Sequence, residues 1–433
     1  MPKKKTPKTI VKPKRSELFG RVASILEQAR SGIVRSANSG SVGYCFRSEG
    51  NYPHLNITNK KVFTMCGTKA FFSFFIFVAL STVSYSVAQT YGERDAVLLE
   101  EFVFQSAPFP SCHAVSLVET SHGTLRAAWF GGYAESHKRV GIWTAKKENG
   151  KWLPPIEVAN GLQEDGNYLP CWNPVLFQPQ AGPLTLYFKV GPNPADWWGE
   201  MMISENDGTT WKNRKRLPNN CIGPVRCKPV EMVDGHILCP SSDEKGGVWQ
   251  SHIEITDAKG EKWGRSAPLH TKEEAQTIQP TLMLFKDRRI LMLCRDRNGN
   301  GNIWQCWSDD NGKSWGQFSP TALPNPNAGV DGLTLNDGRL LLIYNHTQRE
   351  SENPDVPTGR TMLNLAVSDD GKTWKAACVF ENTPKAEFSY PAIIQTKDGL
   401  VHIAYTWKRQ LMKHVVLDPK KIHGISMKDG LWP

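Results

Sequence analysis

Six dipeptides, His113-Ala114, Asn173-Pro174, Lys228-Pro229, Gln279-Pro280, Asp331-Gly332 and Tyr390-Pro391, each open a short apolar run. They follow one another at steps of 60, 55, 51, 52 and 59 residues. A second apolar run follows most of them, and the ends of these second runs carry Lys189, Ser242, Glu244, Arg295, Arg297, Asn345, Trp407 and Arg409. A repeat that returns such side chains at a fixed phase gathers them in space. Together they make a surface that is polar, mixed in charge and partly aromatic, which is what a sugar site requires. Asp331 has three possible uses in such a ring: an acid, an acceptor for sugar hydroxyls, or a partner for Lys228 or Arg295.

The elements that must position these residues repeat as well. SENDGTTW (204–211), SDDNGKSW (308–315) and VSDDGKTW (367–374) share a turn pattern, and TDAKGEKW (256–263) and AKKENGKW (145–152) are weaker copies. In such a hairpin an Asp or Asn side chain bonds nearby backbone N–H groups, Gly supplies the positive φ, and Trp covers the turn. The repetition of Asp310 and Asp369 marks them as hairpin stabilisers, since no reaction needs identical acids spread along a chain. Six phases at this spacing predict an all-β fold, a six-bladed β-propeller over roughly residues 95–430. The stretch VVLDPKKIHGISMKDG is expected to complete the ring with a strand near residues 96–104, which removes exposed sheet edges.

The formal charge of +10 belongs to the leader. Residues 1–90 hold 14 Lys and Arg against 3 Glu, and the remaining 343 residues are nearly neutral, with 38 basic and 39 acidic side chains. The main domain therefore shows no basic footprint for nucleic acid. From Met65 the chain reads MCGTK, then AFFSFFIFVAL, then a polar stretch ending Ser86-Val87-Ala88, the pattern of a secretory signal peptide at 65–88. The alternative is a membrane anchor formed by an uncleaved 70–89 segment, although an apolar run of 11 residues is short for a span of about 20. Export to the periplasm or the extracellular space is the expectation. Residues 16–44 resemble the N-terminus of a bacterial nuclease-like family, and the resemblance stops abruptly. With Met65 as the expected true start, residues 1–64 form an upstream extension without function. The cysteines lack metal-ligand spacing, and Cys171, Cys294 and Cys306 sit in or beside apolar strand patterns that suit buried thiols. No metal or cofactor is expected, and neither a phosphate-cradling loop nor a dinucleotide fingerprint is present.

The turn motifs, with GIWTAKKENGKW, PCWNPVLF, IQPTL, LPNPNAG and YPAIIQTKDG, resemble the sialidase superfamily, in its BNR-repeat, neuraminidase-like branch. The resemblance covers about residues 95–420. It implies a carboxylate clamp of three arginines, a tyrosine nucleophile activated by a glutamate, and an aspartate acid/base. Tyr390 matches the tyrosine and Arg295 a clamp arginine, with Arg297 or Arg409 assisting. The first-blade arginine of the family is replaced by Cys112-His113-Ala114, and the loop expected to carry the aspartate, GGYAESHKRVGIW, offers Glu135. For the glutamate beside the tyrosine, Glu231 lies inside a strand and Glu244 is a looser candidate. His113, with an ordinary pKa of about 6.5, is suited to exchange protons at working pH; the plainer alternative is a hydrogen-bonded histidine at a strand start.

These features imply an exo-acting hydrolase for a terminal acidic sugar, with Tyr390, His113, Glu135 and Asp331 as catalytic candidates. Arg295, Arg297, Arg409, Lys228, Asn173, Gln279, Lys189, Asn345, Glu244 and Trp407 are the candidates for substrate binding. Two alternatives remain open. One is a lyase that eliminates a terminal sugar from uronate, such as rhamnose from glucuronate, with Arg295 and Lys228 neutralising the carboxylate and His113 or Tyr390 taking the C5 proton. The other is a glycan-binding propeller without catalysis, with Trp172, Trp197, Trp198 and Trp407 as stacking faces.

Overall fold

The computed structural model describes residues 94–297, 301–348 and 358–433. The expected extension at 1–64 and signal peptide at 65–88 lie outside the described residues.

The run Leu184–Val190 is buried along its whole length. Successive side chains of a strand point to opposite faces, so such a strand needs cover on both sides, and a ring of stacked sheets supplies it. Leu184, Leu186, Phe188 and Val190 join the apolar cluster shared with the preceding sheet, and Tyr187 joins the one shared with the next. Each of the six interfaces between neighbouring sheets has an apolar cluster of this kind. Fully burying one such side chain is worth about 1.5–3 kcal/mol, so contacts between blades, more than any single hairpin, hold the ring.

The six blades are antiparallel sheets whose strands pair in sequence order. Their first strands are Ser111–Glu119, Cys171–Phe177, Val230–Glu231, Thr277–Leu284, Asp331–Thr334 and Phe388–Gln395. Blade six is completed from the other end of the chain: Val97–Phe102 pairs antiparallel with Leu411–Leu417. This is the expected closure, with one difference. Of the stretch VVLDPKKIHGISMKDG only Val415, Val416 and Leu417 join it. Asp418 then caps a short turn at Pro419–Lys421, and Ile425–Ser426 pairs with Lys375 and Ala376 on the outer strand of blade five. Gly424 permits that approach, since a Cβ there would lie 2.5 Å from the Lys375 side chain.

The repeated turns are built as their sequences suggest. In blade four, Asp310 accepts from the Ser314 N–H at 2.8 Å, and the Gly312 N–H donates to Ser308 Oγ at 2.8 Å. Blade five corrects the sequence reading by one residue, because there the turn is held by Asp370, which accepts from the Thr373 N–H at 2.6 Å, whereas Asp369 is exposed and pairs with Lys375. The eight described cysteines are unpaired and buried.

Candidate active site

A backbone irregularity recurs where the first strands reach the axis. Ala114, Asn173, Gln279 and Tyr390 have φ of 58°, 39°, 56° and 51°. The pairing register slips at each of these places. Such bulges bend the strand and re-aim a side chain. The amides exposed by the bend are caught by the neighbouring blade: Ala114 N–H donates to Thr406 Oγ1 at 3.2 Å and Gln279 N–H to Ser242 Oγ at 3.1 Å. Non-glycine residues in this region cost on the order of 1–3 kcal/mol each, and such strain clusters at functional sites.

Tyr390 is the centre of what these bends bring together. Its hydroxyl accepts from Arg295 Nη1 and, at 3.3 Å, from Gln279 Nε2. Gln279 Oε1 in turn accepts from Arg295 Nη1 at 3.1 Å, and Arg295 Nε donates to Asn327 Oδ1 at 2.8 Å. The guanidinium groups of Arg226, Arg360 and Arg295 lie 5.3, 5.5 and 5.7 Å from the tyrosine ring. Burial opposes ionisation of the phenol, but Arg295, Arg360 and the Gln279 amide outweigh it and hold Tyr390 below its ordinary value of 10.0. A phenol surrounded by donors and cations is stabilised as phenolate.

Two carboxylates compensate two of the cations. Glu387 accepts from Arg360 at 3.1 Å and from Arg409 Nε at 2.9 Å, while Glu135 accepts from Arg409 Nη1. Burial works against the charge of Glu387, yet Arg360 and Arg409 bring its carboxyl down to about 2. Burial also works against Arg409, and Glu135 and Glu387 more than restore its charge. Arg295 differs, because its described hydrogen bonds all go to neutral groups: Asn327, Gln279 and Tyr390.

Tyr390, Gln279, Asn327 and Glu135 line a cavity of about 210 Å³ together with three of the arginines. Its cations, Arg295, Arg360 and Arg409, come from blades four to six, and Trp172, Pro194, Trp197 and Trp249 from blades two and three supply its apolar wall. Asn173, Glu135 and Glu244 complete it. The arrangement suits a ring-shaped ligand with an anionic edge, and among the described residues no group of three or more His, Cys, Asp or Glu is arranged to hold a metal.

Residues 123–403 match the family model described as the BNR repeat-like domain. The chain belongs to the BNR repeat-like family. No curated protein matches it. Among solved structures, a protein of unknown function from Dyadobacter fermentans is similar at 16% identity and a TM-score of 0.61, over 76% of this chain and 99% of the other. The NanB sialidase of Streptococcus pneumoniae is similar at 14% identity and a TM-score of 0.58, over 76% and 71%. The intramolecular trans-sialidase of Ruminococcus gnavus is similar at 12% identity and a TM-score of 0.59, over 76% and 99%. At these identities the likeness is one of fold alone.

Of the residues singled out in sequence, this BNR repeat-like propeller brings Tyr390, Glu135, Arg295, Arg409, Asn173, Gln279 and Glu244 to the cavity, together with Trp172 and Trp197. Others go elsewhere. Asp331 is buried below the mouth, where it accepts from Lys228 Nζ at 3.0 Å, Thr281 Oγ1 at 2.8 Å and the Ile393 N–H at 3.0 Å. It and Lys228 therefore tie blades three, four, five and six across the axis and do not line the cavity. Lys189 is wholly buried and donates to the Pro224 carbonyl. Loss of hydration brings its pKa down to about 7, against the pull of Glu254. Asn345 is buried between Met362 O and Phe388 O, at 2.9 and 2.7 Å. Trp407 packs edge-on against Phe102. Arg297 lies over Trp249 and donates to Gly247 O at 2.6 Å, outside the cavity lining. Glu231 accepts from the Gln180 N–H, remote from the tyrosine.

His113 is placed behind Tyr390 rather than on the cavity wall. Its ring centroid is 4.1 Å from that of the tyrosine, and Nδ1 is 3.0 Å from Thr406 Oγ1. Nε2 is buried without a hydrogen-bond partner. Burial, followed by the charges of Arg409, Arg360, Arg226 and Arg295, holds its pKa well below the ordinary value, so the ring is neutral. Sequence reasoning missed Arg360, Arg226, Glu387, Asn327 and Trp249, none of which lies at a strand end that the repeat pattern marks.

Proposed function

We propose that this chain is an exo-acting glycoside hydrolase of sialidase-like type, working on a terminal acidic sugar. The observation that carries the reading is the cation Arg295, which makes no hydrogen bond to a carboxylate among the described residues, beside the Tyr390 hydroxyl. A substrate carboxylate would complete that ion pair, and the planar fork of an arginine suits it. With the acid group held there, Tyr390 attacks as the phenolate, bonding to the anomeric carbon while the glycosidic C–O bond breaks, and Glu135, once it has left Arg409 and taken a proton from solvent, gives that proton to the leaving oxygen. Water then cleaves the glycosyl–tyrosine intermediate, passing its proton to Glu135. A phenol is a fitting nucleophile towards an anionic sugar and is a known exception to the two-carboxylate scheme. The signal-like segment at 65–88 supports a substrate met outside the cytoplasm, with membrane attachment only if 70–89 stays uncleaved.

A second reading, β-elimination at uronate, is favoured by one observation: both described partners of the Tyr390 hydroxyl are donors, and its amide neighbour Gln279 cannot serve as a base. A phenolate beside an arginine-held carboxylate can itself take a C5 proton, and the open Nε2 of neutral His113 is adjacent.

The deciding experiment presents protein begun at Gln89 with sialylated and uronate-terminated glycans. A free reducing sugar without new ultraviolet absorbance supports hydrolysis, and the absorbance of a C4=C5 double bond supports elimination. Saturable binding without turnover across the panel would leave a glycan-binding propeller and sink both enzyme readings.

A further inference from the structure

Tyr133 is 73% exposed, and no other described Phe, Trp or Tyr is counted among the exposed large apolar side chains. It stands in the loop between Leu125–Gly132 and Gly141–Glu148, two residues before Glu135, which lines the cavity and bonds Arg409. The loop is held in place. His137 N–H donates to Ala134 O at 3.0 Å and Val140 N–H to His137 O at 2.9 Å. The Arg139 guanidinium lies 3.7 Å from the centre of the Tyr168 ring, and the Tyr133 ring sits 5.5 Å from that of His137. An aromatic ring kept in water on an anchored loop lacks the burial that explains the other aromatic residues of this fold.

The size of the cavity says what that ring is for. At about 210 Å³ it is smaller than the roughly 300–1,000 Å³ that encloses a drug-sized ligand, so it takes one sugar ring and the next must lie on the rim. The group that protonates a leaving oxygen stands on the leaving-group side of the scissile bond. If Glu135 is that group, its loop faces the leaving sugar. We infer that Tyr133 is the platform of a leaving-group subsite, stacking on the pyranose ring that follows the terminal acidic sugar. The inference rests on the proposed role of Glu135. It assigns the subsite a ligand class, a neutral or weakly polar pyranose with an apolar C–H face.

The test compares wild type, Tyr133→Ala and Tyr133→Phe on two matched pairs: 3′-sialyllactose with methyl α-sialoside, and a glucuronate-terminated disaccharide with the corresponding methyl glucuronide. Tyr133→Ala is expected to lose about tenfold in kcat/KM on the substrate with a leaving sugar, the size of one aromatic contact. It should lose less than about twofold on the methyl glycoside, and Tyr133→Phe should keep the wild-type preference. An equal loss on both members of a pair, or none on either, overturns the subsite. If wild type turns over neither pair, the enzyme reading fails by itself, and calorimetric binding of the same four glycans decides the subsite. A weaker affinity of Tyr133→Ala confined to the longer member of a pair supports it. Equal affinities, or no binding at all, overturn it.

Discussion

Gln279 Nε2 donates to the hydroxyl oxygen of Tyr390 at 3.3 Å, and Arg295 donates to the same oxygen. The side chain that a base would occupy is thus an amide, and the phenol depends on donated hydrogen bonds and positive charge for its ionisation. A hydrogen bond to a charged group is worth about 1.5–3 kcal/mol. Gln279→Leu is therefore expected to lower kcat by roughly 10–100-fold, with circular dichroism unchanged, as measured by steady-state kinetics on the best substrate of the panel.

The pH dependence follows from the sign of the tyrosine shift. Arg295 and Arg360 hold the Tyr390 phenol below its ordinary value of 10.0, against burial. If the phenolate is the active form, kcat/KM rises with pH and levels off below pH 10. Removing a cation raises the folded pKa, so Arg360→Met should move that limb to higher pH. A profile measured from pH 5 to pH 10 checks it, and an unmoved limb would count against Tyr390 as the titrating group.

Arg295 should distinguish acid from ester. Its described hydrogen bonds are to neutral groups, so its charge is available to a ligand. Arg295→Ala is expected to raise KM for a carboxylate-terminated glycan by about 100-fold, near the 2–5 kcal/mol cost of losing one partner of a buried charge pair. The KM for the methyl ester of the same glycan should change little, because the ester carries no charge for the arginine to meet, while kcat falls on acid and ester alike because Tyr390 loses its donor.

Acid stability carries a separate signature of Glu387. Its folded pKa of about 2 lies below the ordinary value of 4.5 that it has in the unfolded chain. The group therefore contributes stability that is fully present above pH 4.5 and is lost as pH falls through the folded value. Glu387→Gln should flatten the fall in thermal midpoint between pH 4.5 and pH 2 relative to wild type, as followed by calorimetry.

The turn motifs and the recurring strand openings made the propeller and its closure readable in sequence, because each blade repeats the same physical solution. The cavity lining was readable where a repeated position also faces the cavity, as at Tyr390, Gln279 and Asn173. It failed by one residue in blade one. There the bulge falls on Ala114, whose methyl group does no chemistry, and the polar neighbour His113 packs behind Tyr390. Lys189 and Arg295 hold equivalent places, opposite Trp172 and Ile278, and nothing in sequence says that the backbone carbonyl of Pro224 captures the first. Arg360 and Glu387 enter from connections after and before strands, where no periodicity marks them, and only folding brings both to Arg409.

The most direct measurement is the turnover of a carboxylate-terminated glycan by wild type and Tyr390→Phe, which removes one oxygen atom and leaves the ring in its place. We expect wild type to turn the glycan over and the variant to fall by about 10³-fold or more, on the order of 4 kcal/mol, while binding of the glycan persists through Arg295. A variant that keeps the wild-type rate would contradict a reaction centred on Tyr390.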